Sequence, residues 1–238
     1  MAESLSKHRK SDSDRLVLSW EEAPNGGSAQ DGLSAEISLR EFDERVRAQY
    51  GTLCGIDEAG RGPLAGDVYA AAVILDPDNP IEGLNDSKKL TPKKRERLFD
   101  EIREKALAYC IAYSTVEQIE STDILSADLD AMKRACEGLG MTAGLVLVDG
   151  DVLPPIDGCV KCLKQGDARS EAVAAASVLA KVARDRYMCE QAKLYPQYGF
   201  EKHKGYGTKA HLEAVDRYGL CPIHRRSFLK KHFAKSDG

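Results

Sequence analysis

The sequence predicts an α/β domain built on a mixed sheet flanked by helices, and three observations carry that prediction. From residue 52 onward, short apolar runs of strand length alternate with amphipathic segments of helical period. The longest helical segment, Ser170 to about Leu194, is rich in alanine (Ala172, Ala174, Ala175, Ala176, Ala180, Ala183), so it can lie close against a sheet. Two of the apolar runs, Leu53 to Asp57 and Leu145 to Asp149, end in acid. Ligands of open α/β sheets sit at such strand ends.

Each element follows from a local signal. Residues 1–35 are rich in Ser, Asp, Gly and Lys, lack periodicity, and carry the loop signature Pro24-Asn25-Gly26-Gly27-Ser28, so a disordered extension is expected there. Leu39, Phe42, Val46 and Tyr50 recur at helical spacing and predict a short helix leading into the domain. Leu53 to Asp57 and Val68 to Leu75 read as strands. Thr91 as N-cap and Pro92 in the first turn open a helix through about Lys105, followed by a strand from Tyr109 to Val116. Ile124, Leu125, Leu129, Met132 and Cys136 give Asp123 to Leu139 an amphipathic helix, ended by Gly138 and Gly140. Leu145 to Val148 is a buried-type strand, Cys159 to Leu163 alternates like an ordinary one, and Thr208 to Tyr218 is the last expected helix.

Composition bounds the function. The chain has 238 residues, 42% hydrophobic and 30% charged, enough for one full-sized core in residues 36–195 with an appendage in 196–238. A net charge of -4 excludes a histone-like polybasic binder, yet the charge is segregated. Residues 51–195 carry 18 basic and 24 acidic side chains, whereas residues 196–238 carry 9 and 4. Seven cysteines, an odd number, read as reduced thiols. Cys159-Val160-Lys161-Cys162 has half of a zinc site's spacing with nothing to complete it. The first residues lack the apolar core of an export signal, and the run Val68 to Leu75 is far too short to span a bilayer. A cytoplasmic protein with no membrane partner is expected.

The candidate chemistry lies in acids and in a glycine turn. Asp57, Glu58 and Asp149 stand at strand ends, and Asp167, just before the long helix, is either a further ligand or a helix cap. Clustered carboxylates raise one another's pKa unless a divalent cation neutralises them, and oxygen ligands favour Mg2+ or Mn2+ over zinc. Two such ions about 4 Å apart serve phosphodiester hydrolysis. The alternative is that these acids are turn residues at the surface. Gly60-Arg61-Gly62-Pro63-Leu64-Ala65-Gly66 lets the backbone approach a phosphate or sugar, but it has neither Walker nor dinucleotide-binding spacing. Lys88 and Lys89, the run Lys93 to Arg97, and the segments His203 to Lys209 and His224 to Phe228 with Lys230 and Lys231 add positive charge suited to phosphates. Lys93 to Arg97 is equally compatible with a solvated helix face. Tyr206, between two glycines, is poorly placed for a core and suits stacking on a base or sugar.

Taken together and in this order, these segments resemble ribonuclease HII from about Gly55 to Phe228. The motifs that carry the resemblance are Gly55 to Gly66, Leu84-Asn85-Asp86-Ser87-Lys88-Lys89-Leu90 and Val148-Asp149-Gly150, then Lys164 to Ser170, Ala174 to Val182, His203 to Thr208 and His224 to Phe228. The resemblance implies a ribonuclease H-like fold with a small helical C-terminal extension that grips the duplex. It implies hydrolysis of the RNA strand of RNA–DNA hybrids and cleavage 5′ of single ribonucleotides in duplex DNA, leaving 3′-hydroxyl and 5′-phosphate ends. It implies Mg2+ or Mn2+ on Asp57, Glu58, Asp149 and Asp167, in a monomer that takes RNA–DNA hybrid and ribonucleotide-containing DNA. On the same ground, Gly60, Arg61 and Gly62 read the ribose 2′-hydroxyl, Tyr206 packs on the deoxyribose after the junction, and Lys88 holds a phosphate. Asp67 and Asp151 depart from the family's usual residues, and a tuning of the metal site by their charge is expected. Asp185 is expected to be an ion-pair partner on the long helix. Another metal-dependent nuclease on the same fold, or a non-catalytic nucleic-acid binder, are the competing classes. The first would lack the Gly-Arg-Gly turn and Tyr206, and acids facing a phosphate backbone would weaken the second.

Overall fold

The computed structural model describes residues 37–236, so the expectation for residues 1–35 lies outside the described residues. Five strands form one sheet in the order β3-β2-β1-β4-β5. They are β1 (Leu53–Ala59), β2 (Val68–Ile74), β3 (Ala108–Ser114), β4 (Leu145–Asp149) and β5 (Val160–Leu163). β1 at the centre runs antiparallel to β2, with Gly55 opposite Val73, and parallel to β4, with Ile56 opposite Val148. The sheet is therefore mixed, as the alternation of strands and helices predicted. The segment Cys159 to Leu163 is indeed a strand from Val160, and all seven cysteines are free.

The helices are α1 (Leu39–Tyr50), α2 (Pro92–Lys105), α3 (Val116–Ser121), α4 (Ile124–Glu137), α5 (Glu171–Leu194), α6 (Phe200–His203), α7 (Lys209–Tyr218) and α8 (Arg226–Ser236). Side-chain oxygens of Ser38, Thr91, Asp123, Ser170 and Thr208 accept backbone N–H bonds at the starts of α1, α2, α4, α5 and α7. Thr208 to Tyr218 is not the last helix, because α8 follows it, held by Phe228 against Val68, Ile119 and Ala127 and by Ser227 donating to Glu120 of α3, long-range contacts that leave no local period. A strand departs from expectation as well. The strand expected through Val116 stops at Ser114, because Thr115 and Gln118 form a capping box that starts α3. Asp67 accepts from the Val116 N–H at 3.0 Å and supports the same turn.

The pleat of β1 divides its residues between two layers. Cys54 and Ile56 pack with Ala70, Ala72 and Ile74 against Ala131, Met132 and Ala135 of α4. The opposite face takes α5, and there the approach is so close that a Cβ on Gly55 would stand 2.2 Å from the Ala172 carbonyl carbon. Ala172, Val173, Ala174, Ala175 and Ala176 are fully buried, so α5 is apolar around its first two turns. Asp43 of α1 fastens this end by accepting from the Ala172 N–H at 2.8 Å, and burial pushes its own carboxyl up to about 6.

The segment after α5 builds its own apolar cluster. Tyr198, Phe200 and Val215 pack with Met188 and Ala192 of α5 and with Ala65 from the glycine turn. No helix among the described residues is long and apolar enough to cross a membrane.

Gly55→Ala puts a methyl group into backbone rather than into a side chain that could move. It should lower stability by about 3 kcal/mol, the upper range for overpacking, as read by chemical denaturation.

Candidate active site

Parallel pairing of β1 with β4 brings the two acid-terminated strands to the same edge. Ile56 is opposite Val148, so the next residues, Asp57 and Asp149, emerge side by side. Asp149 is in turn in register with Leu163 of β5. Two residues beyond that strand, Gln165 takes a left-handed conformation with φ 54° and reverses the chain. The Gly166 N–H then donates to Asp149 Oδ1 at 2.6 Å, and the turn Gly166–Ala168 carries Asp167 back over the strand ends. Carboxylate oxygens of Asp57, Asp149 and Asp167 lie within 4.8 Å of one another. Ser170, not Asp167, caps α5, which removes the cap as a reading of Asp167.

Hydroxyls and a lysine surround the trio. Ser177 of α5 hydrogen-bonds Asp57, and its Oγ lies 2.7 Å from that of Ser87. The Ser87–Lys89 turn is held by Asp86, which accepts from the Lys88 N–H, and by Arg95, which donates to the carbonyls of Ser87 and Leu90. That turn presents the exposed Lys88, whose Nζ is 3.7 Å from Asp167 Oδ2. Burial works against the Lys88 charge, but Asp167, Asp57, Asp86 and Asp149 hold the ammonium on balance above its ordinary pKa. Burial first, then Glu58 and Asp149, push the Asp57 carboxyl well above the usual range. Burial, Asp149 and Asp86 push Asp167 in the same direction, against the pull of Lys88.

Glu58 is outside the closest trio but borders it, with its side chain hydrogen-bonded to that of Asp57 and in electrostatic reach of Asp149 and Lys88. Alternation along β1 sends it toward the α4 layer, where Arg61 Nη1 stands 3.9 Å from its carboxylate. Burial raises its pKa, while Arg61 lowers it and Asp149 raises it. Arg61 Nε also lies 3.4 Å from Asp128 of α4. Asp128 is 1% exposed, and neither carboxylate oxygen has a hydrogen-bond partner among the described residues. Burial and Glu58 push it up to about 8 despite Arg61 and Arg225.

The glycine turn follows β1 directly. Gly60 has φ +106°, and a Cβ there would meet Arg184 Nε at 2.1 Å. Arg225, fully buried, donates to the carbonyls of Gly60 (2.7 Å), Arg61 and Pro63 (3.0 Å each) and Gly66 (2.6 and 2.9 Å). Arg184 donates to the carbonyls of Ala65, Asp67 and Lys204. Backbone bonds from Leu64 N to Gly205 O and from Arg225 N to Leu64 O stitch the turn to the C-terminal segment. The exposed Tyr206 leans over it, with a ring carbon 3.8 Å from where a Cβ on Gly62 would stand.

The structure thus gathers Asp57, Asp149, Asp167 and Lys88 at one edge and Gly60, Arg61, Gly62 and Tyr206 beside it. Sequence reasoning assigned no role to Ser177, Arg184 or Asp128, and it counted Arg225 among the charges suited to phosphates, whereas Arg225 is fully buried and spends its donors on the carbonyls of the glycine turn. Ser177 was detectable as a hydroxyl inside a run of buried alanines, and Arg184 as a charge on the same helix. Asp67 faces Val116 and Tyr187 and serves the start of α3, so its buried carboxylate belongs to the scaffold. Asp185 pairs with Lys181 at 2.7 Å, as expected.

A mixed five-stranded sheet with three carboxylates converging at the ends of its parallel strands defines a protein of the ribonuclease H-like class. The ribonuclease H2 of Pyrococcus horikoshii OT3 superposes with a TM-score of 0.66 at 28% identity, over 77% of this chain and 98% of that one. The family model described as Ribonuclease HII matches residues 54–236. A ribonuclease HII of Idiomarina loihiensis is 58% identical over 176 residues, 74% of this chain and 94% of its own length. That of Caldicellulosiruptor bescii is 50% identical over 199 residues, 83% and 97%. The chain belongs to the ribonuclease HII family and is a ribonuclease H endonuclease.

The family is metal-dependent, and the trio fits such an ion: its donors are hard oxygens only, and two of the three carboxyls are strained toward the neutral form. Because the folded-state pKa of Asp57 is raised, its contribution to stability is complete below the ordinary carboxylate range and is lost as pH rises. Asp57→Asn should therefore raise the melting temperature of the metal-free protein at pH 7 to 8, by about 1 kcal/mol of stability or more. Added Mn2+ should narrow that gap by stabilising the wild type alone, which melting curves with and without chelator would show.

Proposed function

We propose that this enzyme hydrolyses the RNA strand of RNA–DNA hybrids and cleaves on the 5′ side of single ribonucleotides embedded in duplex DNA. The products carry 3′-hydroxyl and 5′-phosphate ends, and the cellular role is to initiate ribonucleotide removal from DNA. The observation that carries this reading is the continuity of β1 with the glycine turn. Asp57 enters the acid cluster, and three residues later the buried Gly60 opens a turn whose next residues, Arg61 and Gly62, are exposed beside Tyr206.

Asp57, Asp149 and Asp167 would hold divalent ions, Mg2+ or Mn2+, with Glu58 as the fourth carboxylate. When bound, two such ions supply an activated water and charge stabilisation at the leaving oxygen. The rest of the work falls to the chain. Ser177 orients the Asp57 carboxylate, and Lys88 offers its ammonium to a backbone phosphate beside Asp167. Gly60, Arg61 and Gly62 present close backbone to the 2′-hydroxyl, the one group that separates ribose from deoxyribose. Tyr206 packs on the deoxyribose of the following nucleotide, so a junction is tested from both sides. The basic segment 196–238 draws in the duplex, and its attraction weakens with salt.

A labelled DNA duplex with one ribonucleotide, incubated with Mg2+ or Mn2+ beside an all-DNA control, tests the reading. Cleavage only of the ribonucleotide duplex, at its 5′ side, is the expected result. Equal cutting of both duplexes would mark a general nuclease, and no cutting would sink the proposal. Asp57→Asn and Asp149→Asn should each lower the single-turnover rate by about a thousandfold or more while leaving duplex affinity nearly unchanged.

A further inference from the structure

Two buried histidines join the C-terminal segment to Tyr206. His211 on α7 is fully buried, and His224, in the segment before α8, is 2% exposed. Their Nε2 atoms lie 3.0 Å apart, so one ring must donate to the other. The flanking contacts decide which. His224 Nδ1 faces both the Cys221 N–H at 2.9 Å and the Cys221 Sγ at 3.1 Å; the amide can only donate, and the thiol, kept protonated by burial, can donate too, so this nitrogen carries no proton. The proton of neutral His224 is therefore on Nε2 and points at His211. His211 Nε2 accepts it, which leaves the His211 proton on Nδ1, 2.9 Å from the carbonyl oxygen of Tyr206. A second proton on either ring would set two donors face to face. Neutrality also suits the surroundings: His203 stacks on His211 at 4.5 Å, Phe200 presents its edge, and Tyr198 meets His224. Burial lowers the pKa of both rings, that of His224 to about 4.

We propose that His211 and His224 are positioning residues: a one-directional proton chain from the Cys221 amide through both neutral rings to the Tyr206 carbonyl holds the Tyr206 ring over Gly62. The consequence for substrate choice rests on the role proposed above for Tyr206. The chain itself does not, since it is defined by hydrogen-bond geometry. Tyr206 occupies a glycine-flanked, largely exposed turn in which Lys204 is left-handed at φ 53°. Apart from the Thr208 N–H at 2.8 Å, His211 is the donor that ties its carbonyl to the core. The same turn grips the ribose-reading loop through Leu64 N to Gly205 O, so its position is shared by both halves of the candidate junction reader.

Two measurements test this on the full chain. Nitrogen-15 histidine spectra at pH 7 should show His211 protonated on Nδ1 and His224 on Nε2, both neutral. The opposite tautomers, or a charged ring, would overturn the chain. In parallel, the ratio of cleavage rates on single-ribonucleotide duplex and continuous hybrid is measured for folded variants. His211→Phe should lower that ratio about five- to tenfold, the effect of one hydrogen bond. His211→Asn, whose amide nitrogen stands near the place of Nδ1, should restore it to within about twofold of wild type. A folded His211→Phe enzyme with the wild-type ratio, or an Asn variant as impaired as Phe, would overturn the positioning role. Tyr206→Ala is the control. If it too keeps the wild-type ratio, the role given to Tyr206 fails, and the tautomers still decide the proton chain.

Discussion

The close contact of α5 with β1 is the constraint on which the rest of the molecule depends. Gly55 has no room for a side chain beneath the Ala172 and Val173 backbone, and the alanines of α5 keep the helix at that distance. This contact fixes the start of α5 over the end of β1. It places Ser177 against Asp57 and sets the Gly166–Ala168 turn, and with it Asp167, above Asp57 and Asp149. A wider separation would admit water between sheet and helix and leave the three carboxylates to repel one another apart. The packing of small residues thus has an electrostatic result: three acids held closer than they would choose, in a site whose natural relief is a cation.

Beside this rigid centre, the glycine turn is held by a second device. A sequence with Gly60, Gly62 and Gly66 in seven positions is conformationally loose on its own. Here its carbonyls are engaged by Arg225 from the C-terminal segment and Arg184 from α5. Both guanidiniums are buried, and burial lowers their pKa, that of Arg225 to about 9. Several carbonyl acceptors per guanidinium compensate for that desolvation. Any group able to contact substrate through backbone must be rigid before it binds, and these two arginines provide that rigidity. The C-terminal segment is therefore part of the scaffold of the glycine turn as well as a basic surface.

Much of this was legible in the chain. Helix starts were visible in Thr91-Pro92 and Ser170, strand ends in Asp57 and Asp149, and the closeness of α5 in its alanines. The short α3 was missed because a six-residue helix has almost no periodicity to detect, although its capping box, Thr115 with Gln118, was present. Asp67 looked like a charge beside the metal site, and only the fold turned it toward the Val116 N–H. Tyr206 could be picked out by its flanking glycines and Lys88 through the family resemblance, but not the contacts they make.

The sequence by itself determined the local elements and the residue types of the site, because caps, periodicity and acid-terminated strands act over a few neighbouring positions. The tertiary structure alone decided which acids converge. Asp57, Asp149 and Asp167 are far apart in sequence and meet through parallel pairing of β1 with β4 and the left-handed turn at Gln165. Glu58, adjacent to Asp57, alternates toward the α4 layer and meets Arg61, while its side chain still hydrogen-bonds Asp57 at the border of the trio. The same holds for Arg225, which reaches the Gly60 carbonyl across more than 160 positions. Long-range hydrogen bonds and like-charge contacts depend on where the backbone returns, and that is a property of the packed sheet and helices rather than of any stretch of the chain.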